Sequence, residues 1–451
     1  MNKITLPLIL MVLIALMLSG CQQSSVPKEP QKLKVAVFHA DLFTRVYVPL
    51  LEKQFPDWEI TVVPLNDDNF YVLREPEASN SIFNVINKEH PDLVMVQGYM
   101  YDVLANKDVF VDLQEQMSQS KHKLNLDTFA PSVISFLNNN EHGKLYGLSP
   151  IFRTSALYYN KSMFKSFGIE EPPERITWTE VLQLANRFMK DQRMPNGSYG
   201  FHLGMLSSPY NMIETIAHTE GIVDIDNRRG KVMMQSDAWT NIWRLVADSY
   251  SQGALSKLKR TPRIIDGVQY FDKEDLETAD LFYKGLSAMT LAEDDLLRKL
   301  NSGTPKFQWG VVSGPVSSRD ANKVAAITLD YVFTIPTVST HPDAAWEVIH
   351  HLHSDTVGHI LKATDQGLST LKEYPSWTDD PRYEAFYNLI GWDNDNSYVN
   401  SIVSNETYRL FSTLVNEQME ATIAGNITTE QALAIVQSEG QLLLDKGLTT
   451  Q

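Results

Sequence analysis

The sequence predicts an α/β protein built as two lobes, and three observations carry that reading. Its first folded segment alternates strand and helix in a βαβαβ order, the pattern of a mostly parallel sheet with helices on both faces. About 420 residues follow the N-terminal leader, more than one hydrophobic core usually supports. No repeat with a period of about 20 to 50 residues is visible, which disfavours solenoids and propellers. A hydrophobic content of 43% with 10% aromatics is that of a globular chain. Beyond the leader no second linker stands out, so the chain has to pass between lobes without long flexible joints.

Residues 1–20 read as a lipoprotein signal peptide. Lys3 supplies the positive start, and Ile4 to Leu18 form fifteen uncharged, mostly apolar residues, short of the roughly 20 that a membrane-spanning helix needs. Leu18-Ser-Gly-Cys21 resembles the lipobox of bacterial lipoproteins, which implies cleavage before Cys21 and diacylation of its sulfur. Cys21 is the only cysteine in 451 residues, so it has no disulfide partner within the chain. The alternative is an ordinary secretory signal that happens to end beside a cysteine. Two acyl chains hold a protein on a membrane durably, so the expected location is the outer face of the bacterial cytoplasmic membrane. Residues 21–32, polar and with two prolines, read as a stalk. The formal net charge of −16 repels nucleic acid and anionic lipid at long range, so neither is an expected partner.

Beyond the stalk, Lys32 to Phe38 alternates apolar residues as a strand does, and Leu42 to Phe55 carries them at helical spacing. A second strand reads at Glu59 to Val63. Pro91 to Val96 is a continuous apolar run behind a breaker, as a strand buried on both faces would be. Parallel sheets bind ligands beyond the carboxyl ends of their strands, which singles out the loops at His39 to Arg45 and Gln97 to Tyr101. Thr154 to Lys161 is β-prone and ends in turn chemistry. Thr177-Trp-Thr-Glu180 is a capping box that opens a helix, with Val181, Leu184, Ala185 and Phe188 on one face.

The segment from Gly143 to Phe188 (GKLYGLSPIFRTSALYYNKSMFKSFGIEEPPERITWTEVLQLANRF) resembles the central signature of extracellular solute-binding proteins of bacterial ABC importers, the family typified by maltose- and oligosaccharide-binding proteins. PDLVMVQGYMYDVLANKDVFVDL, FYKGLSAMTLAED, WGVVSGP, THPDAAWEVIHHLHS and TTEQALAIVQSEGQLLL are similar to further family segments. The resemblance implies a two-lobed periplasmic-binding-protein-like fold of type II, with a ligand cleft between the lobes and three hinge crossings. On that template lobe one takes residues 33–152 and 331–370, and lobe two residues 153–330 and 371–451. The crossings are expected near Phe152 to Ser155, Leu329 to Phe333 and Thr370 to Tyr374. The expected function is capture of a mono- or oligosaccharide by lobe closure and delivery to the transmembrane subunits of an ABC permease. A monomer without cofactor or metal is expected, and no enzyme activity.

Sugars present hydroxyl arrays and apolar ring faces, so their sites combine aromatic platforms with side chains that bond adjacent hydroxyls. Carried over position by position, the resemblance implies ligand contacts from Leu42, Phe43 and Thr44, from Gln97, Tyr99 and Tyr101, from Arg153, from Tyr210, from Glu293 and Asp294, and from Asp330 and Tyr331. Tyr210 matches a family aromatic that stacks on ligand. Two departures weaken any likeness in specificity. Ala292 to Asp295 stand where the maltose-binding pattern has a tryptophan, and Arg153 stands where it has a carboxylate, which leaves room for an acidic ligand such as a uronate-containing saccharide.

Plainer readings stand beside these. Tyr99, Tyr101 and Tyr331 are equally readable as core or hinge tyrosines, Arg153 as a lobe-to-lobe ion-pair partner, and Glu293 and Asp294 as solvated turn carboxylates. Trp58, Trp178, Trp239, Trp243 and Trp346 are expected in the core, whereas Trp377 and Trp392 could reach the cleft. His350, His351, His353 and His359 are expected to decorate the solvent side and the C-terminal end of a helix, where its dipole favours a cation, without binding metal. Asp393-Asn-Asp-Asn-Ser397 lacks the Gly and Glu that a calcium loop needs further on. Gly-x-Ser-x-Gly, His-Glu-x-x-His, P-loop and Gly-x-Gly-x-x-Gly motifs are absent. A non-sugar solute receptor, a receptor feeding a sensor kinase and a glycoside-active surface enzyme are the competing functions.

Overall fold

The computed structural model describes residues 30–65, 77–204, 207–227, 229–257, 263–265, 268–270, 280–325, 327–364, 366–374, 380–392, 403 and 405–449. Cys21, the signal segment, the stalk as far as Glu29, Trp377 and the Asp393–Ser397 loop lie outside the described residues.

The first lobe opens with β1 (Lys32–Val37), α1 (Ala40–Val46), α2 (Val48–Gln54), β2 (Glu59–Pro64), α3 (Glu77–Glu89), β3 (Leu93–Gln97), α4 (Gly98–Ala105) and β4 (Gly147–Leu148). The single helix expected over Leu42 to Phe55 is two. Pro49 sits in the first turn of α2, where its missing N–H costs nothing but its ring stops α1 from running on. As expected of a strand covered on both faces, Leu93, Val94, Met95 and Val96 are fully buried.

The chain then builds β5 (Ala156–Asn160), α5 (Trp178–Met189), β6 (Tyr199–His202), α6 (Pro209–Thr219), α7 (Asp237–Ser251), β7 (Ser287–Ala292), α8 (Asp294–Ser302) and β8 (Trp309–Ser313). It returns to the first lobe for β9 (Tyr331–Thr334) and α9 (Pro342–Leu352), and ends on α10 (Asn405–Ile423) and α11 (Thr429–Thr449). Two sheets result, in the strand orders β2-β1-β3-β9-β4 and β8-β5-β7-β6. They are mixed rather than mostly parallel. β1 pairs in parallel with β2 and β3, but β9 runs antiparallel to β3 and β4, because it re-enters the first sheet from the other lobe. In the second sheet β5 is antiparallel to both neighbours and only β6 and β7 are parallel.

The capping box forms: Thr177 N donates to Glu180 Oε2 at 2.8 Å while Thr177 Oγ1 accepts from Glu180 N. Trp178, Val181, Leu182, Ala185 and Phe188 of α5 are buried, and Leu184 is only half-buried. Together with Leu157 and Tyr159 of β5 they form the second lobe's core, which α6, α7, α10 and α11 complete. The opposite face of β5 behaves differently. Tyr158 packs toward Phe282, Leu296 and Leu297 and belongs to the first lobe's core, which continues across the hinge through Phe152 against Tyr387 at 5.3 Å.

Trp178, Trp239, Trp243 and Trp346 are core residues, and Trp58 stacks on Phe55 at 4.1 Å. Trp392 is held beside α6, its Nε1 donating to the Thr219 carbonyl at 2.6 Å, with Arg319 and Lys323 each 5.3 Å from its ring. Of the four histidines expected at one helix end, His359 lies in the next helix, Asp355–Ala363, and is solvent-exposed, unlike the three at the end of α9. His353 is buried against Phe129, His351 meets Phe55 and His350 meets His122, because these residues sit where α9 packs on the lobe rather than on its open side. Among the described residues no group of three or more His, Cys, Asp or Glu side chains could hold a metal ion, and no helix is long and apolar enough to cross a membrane.

Candidate functional site

Strand register brings the candidate residues to two facing edges. Gln97 ends β3 and pairs with Tyr331, which begins β9, so the carboxyl end of the parallel strands and the return from the second lobe share one edge. On the second sheet Ala292 ends β7 opposite Ala156, which begins β5. Arg153 precedes β5, Glu293 follows β7 and Asp330 precedes β9, so all three lie where the sheets face each other.

Arg153 is the node of this region. Its backbone exchanges two hydrogen bonds with Thr328, at 2.8 and 2.9 Å, which ties the first crossing to the second. Its side chain spends each nitrogen on a different acceptor: Nε donates to Asp330 Oδ2 at 2.7 Å, Nη1 to Glu293 Oε2 at 3.4 Å and Nη2 to the Gln366 carbonyl at 3.4 Å. Burial works against the guanidinium's charge, but the hydrogen bond and charge of Asp330, then those of Glu293, outweigh it and hold its pKa above the usual value. Burial raises the pKa of Glu293, and Arg153 offsets part of that rise.

Across the edge, the first lobe contributes a polar and aromatic group. Tyr99 OH donates to Gln97 Oε1, and Gln97 Nε2 lies 3.3 Å from His39 Nε2, an arrangement that suits a proton on His39 Nδ1. The His39 and Tyr331 rings meet edge-on at 6.1 Å. Tyr99 is 41% exposed, so its ring is presented rather than packed. Thr44 is exposed on α1 and Leu42 half-buried.

Four of the residues expected to meet ligand are placed in the core instead. Phe43 is fully buried and stacks on Tyr47 at 5.8 Å, since α1 turns its apolar face onto the sheet. Tyr101 is buried because it lies on the inner side of α4, where its hydroxyl donates to the Leu137 carbonyl at 2.9 Å and accepts from Tyr146 N at 3.0 Å. Tyr210 is 5% exposed, and its hydroxyl donates to Asp224 Oδ2 at 2.6 Å. Asp294 is buried at the start of α8 in an ion pair with Arg298 one turn on. The structure brings together Gln97, Tyr99, Arg153, Glu293, Asp330 and Tyr331. It adds His39, which lies in a loop singled out by the sheet argument, and Gln366, whose contribution is a backbone carbonyl that no side-chain pattern announces.

This geometry defines a class: a two-lobed α/β protein with two mixed sheets and a group of polar and aromatic residues at their edges. A model of the bacterial extracellular solute-binding protein family matches residues 66–385, and the chain belongs to that family. Its members bind solutes and are not enzymes. A relative from Brucella abortus (strain 2308), named as a binding protein, is 26% identical over 234 residues, 50% of this chain and 49% of that protein. The arabinooligosaccharide-binding protein of Bacillus subtilis (strain 168) is 26% identical over 209 residues, 44% of this chain and 45% of its own. The matched region thus spans about half the length of these curated relatives. In overall fold the chain is similar to the sugar-binding protein MalE from Xanthomonas citri, with a TM-score of 0.63 and 16% identity over 92% of this chain and 98% of that one.

Proposed function

We propose that this protein captures a carbohydrate between its lobes and delivers it to an ABC permease, working as a monomer held to the membrane by lipid on Cys21. The observation that carries the carbohydrate reading is the Tyr99 ring, exposed and bonded to the Gln97 amide, on the strand edge where Gln97 pairs with Tyr331, next in the chain to the Asp330 that holds Arg153. A sugar needs that pairing of an apolar face with hydroxyl-bonding groups on two sides. The named binding of arabinooligosaccharide by the Bacillus subtilis relative, and of sugar by the Xanthomonas citri protein, supports the same class.

Mechanistically, ligand enters the open form against Tyr99, Gln97 and Tyr331, then gains contacts from Glu293, which Arg153 positions, as the lobes close. Those second-lobe contacts exist only in the closed state, so ligand shifts the population toward it, and the permease reads that state. The lobe division given above, with Thr44 at the rim, belongs to this reading. Calorimetry with a panel of mono- and oligosaccharides tests it. At least one saccharide should bind, and Tyr99→Ala should weaken it by about tenfold or more, the scale of losing an aromatic anchor. The absence of binding by every saccharide at millimolar concentration would sink the reading.

A further inference from the structure

If the cleft holds a saccharide, its ion pairs bear on the charge that saccharide carries, and this inference rests on the reading just given. One guanidinium, Arg153, faces two carboxylates, Asp330 and Glu293. Each of its three nitrogens already has an acceptor. A planar guanidinium has five N–H donors, and the single one on Nε is taken by Asp330, so the Nε edge is closed to a two-donor grip and a ligand acid is left the second N–H of each Nη. An acid held there would stand beside Glu293 and Asp330, negative charge against negative charge. Arg298, the neighbouring guanidinium on α8, is committed to Asp294 and contributes no spare positive charge. Counting Arg153, Asp330 and Glu293 together, the cluster holds an excess of one negative charge, within a chain whose net charge is −16.

We propose that the cleft takes saccharides that are uncharged or bear an amino group, and excludes uronates and phosphate esters. Glu293 is the residue that gives an amino group its place: it is the more exposed of the two acids, 42% against 31%, and the more loosely held, at 3.4 against 2.7 Å. Asp330, gripped closely by Nε, keeps Arg153 occupied and is what denies an acidic ligand its partner. Arg153 is therefore a positioning residue between two acids rather than an anion receptor.

The test is calorimetry and thermal unfolding of the full chain with maltotriose, arabinotriose, a glucosamine trimer, a galacturonate trimer and glucose 6-phosphate. The best neutral or amino probe should bind about tenfold or more tighter than either anion, a factor within the reach of a few polar contacts. Asp330→Asn removes the negative charge beside Arg153 and weakens the hold on its Nε donor, and should raise the ratio of galacturonate to neutral affinity by about tenfold, whatever happens to the absolute values. Should that variant fail to fold, Glu293→Gln reads the same ratio from the other carboxylate. A galacturonate trimer or glucose 6-phosphate that binds the native chain as tightly as the best neutral probe overturns the proposal and leaves the saccharide reading standing. Binding of none of the five at millimolar concentration overturns both.

Discussion

Arg153 Nε donates to Asp330 Oδ2 across 2.7 Å, and the two residues sit on different crossings between the lobes. The same side chain reaches the Gln366 carbonyl just ahead of Leu368–Ser369, a segment that pairs with Ile151–Phe152 beside Arg153. One guanidinium thus joins three distant segments of the chain, at residues 153, 330 and 366, near one point. On the proposed reading, in which the lobes close on ligand, that motion has to pivot around this point or break it, and Arg153 bears on the open-to-closed balance.

Replacing Arg153 with Ala should therefore act on shape as well as stability. The pair is about one-third exposed, between the surface case and the buried case, so a loss of about 1 to 2 kcal/mol is expected in urea unfolding. Small-angle scattering of the unliganded protein should show a larger radius of gyration for the variant. Arg153→Lys should recover little, because an ammonium is a point charge and cannot serve acceptors in three fixed directions. A native-like scattering curve for Arg153→Ala would refute the pivot.

Gly98 lies under the second crossing. Its N–H donates to the Asp330 carbonyl at 3.3 Å, and a Cβ added there would stand 2.0 Å from the Leu329 carbonyl oxygen. Backbone cannot yield as a flexible side chain can, so Gly98→Ala should cost about 2 kcal/mol or more, at the upper part of the range for overpacking. Denaturant midpoints check this. A change within about 0.5 kcal/mol, the size of an ordinary surface substitution, would show that the crossing moves freely.

His353 supplies a pH dependence. It is buried, its Nδ1 is 2.7 Å from the Ile349 carbonyl, and burial pushes its pKa down to about 4 from an ordinary value near 6.5. Between those values the unfolded chain binds a proton that the native state refuses, so this contribution to stability falls as pH drops from about 6.5 toward 4. At about 1.4 kcal/mol per unit the loss is on the order of 3 kcal/mol. Unfolding at pH 7 and pH 5 should show the native chain losing more stability on acidification than His353→Gln. Equal losses would mean that the imidazole titrates freely.

For the anchor, Cys21→Ser should abolish incorporation of labelled fatty acid and leave the protein either unprocessed or released, since a single acyl chain already holds only marginally and none remains. Fractionation of cells grown with labelled palmitate reads both outcomes. Labelling of the Ser variant at the native level would place the lipid elsewhere.

Much of the fold was legible because its signals are local. The apolar run at Leu93 to Val96 and the capping box at Thr177 needed no distant partner to be recognised. The strand directions of β5 and β9 were not, since antiparallel pairing depends on where the chain returns after a hundred residues or more, within the same sheet for β5 and from the other lobe for β9. Within the site, Gln97, Tyr99, Arg153, Glu293, Asp330 and Tyr331 were placed by position along a family pattern, and the structure groups them through the Arg153 ion pairs, the Tyr99–Gln97 hydrogen bond and the Gln97–Tyr331 pairing. Phe43, Tyr101, Tyr210 and Asp294 were placed by the same pattern but turn inward from their helices, because a one-residue step on a helix rotates a side chain by about 100° and pattern alone does not fix the phase.

Tyr210 makes that difference measurable. If it stood in the cleft, with its ring on the ligand as the resemblance implies and its hydroxyl among the ligand's hydroxyls, that hydroxyl would matter to binding. In the structure the hydroxyl is a buried donor to Asp224, which also accepts from Ile225 N at 2.7 Å. Burial raises the pKa of Asp224, and the Tyr210 hydrogen bond holds that rise in check. An acid whose folded pKa is raised lends stability at low pH and loses it as pH climbs through the folded value. Removing the hydroxyl raises that pKa further, so Tyr210→Phe should cost about 1 to 3 kcal/mol at pH 7, where the orphaned carboxylate must stay charged or take up a proton. The cost should shrink as pH falls and Asp224 is protonated in both proteins. Saccharide affinity, measured where both are fully folded, should then change by no more than about twofold, well under what loss of a direct contact brings. A large drop in affinity with unchanged stability would put Tyr210 back in the cleft.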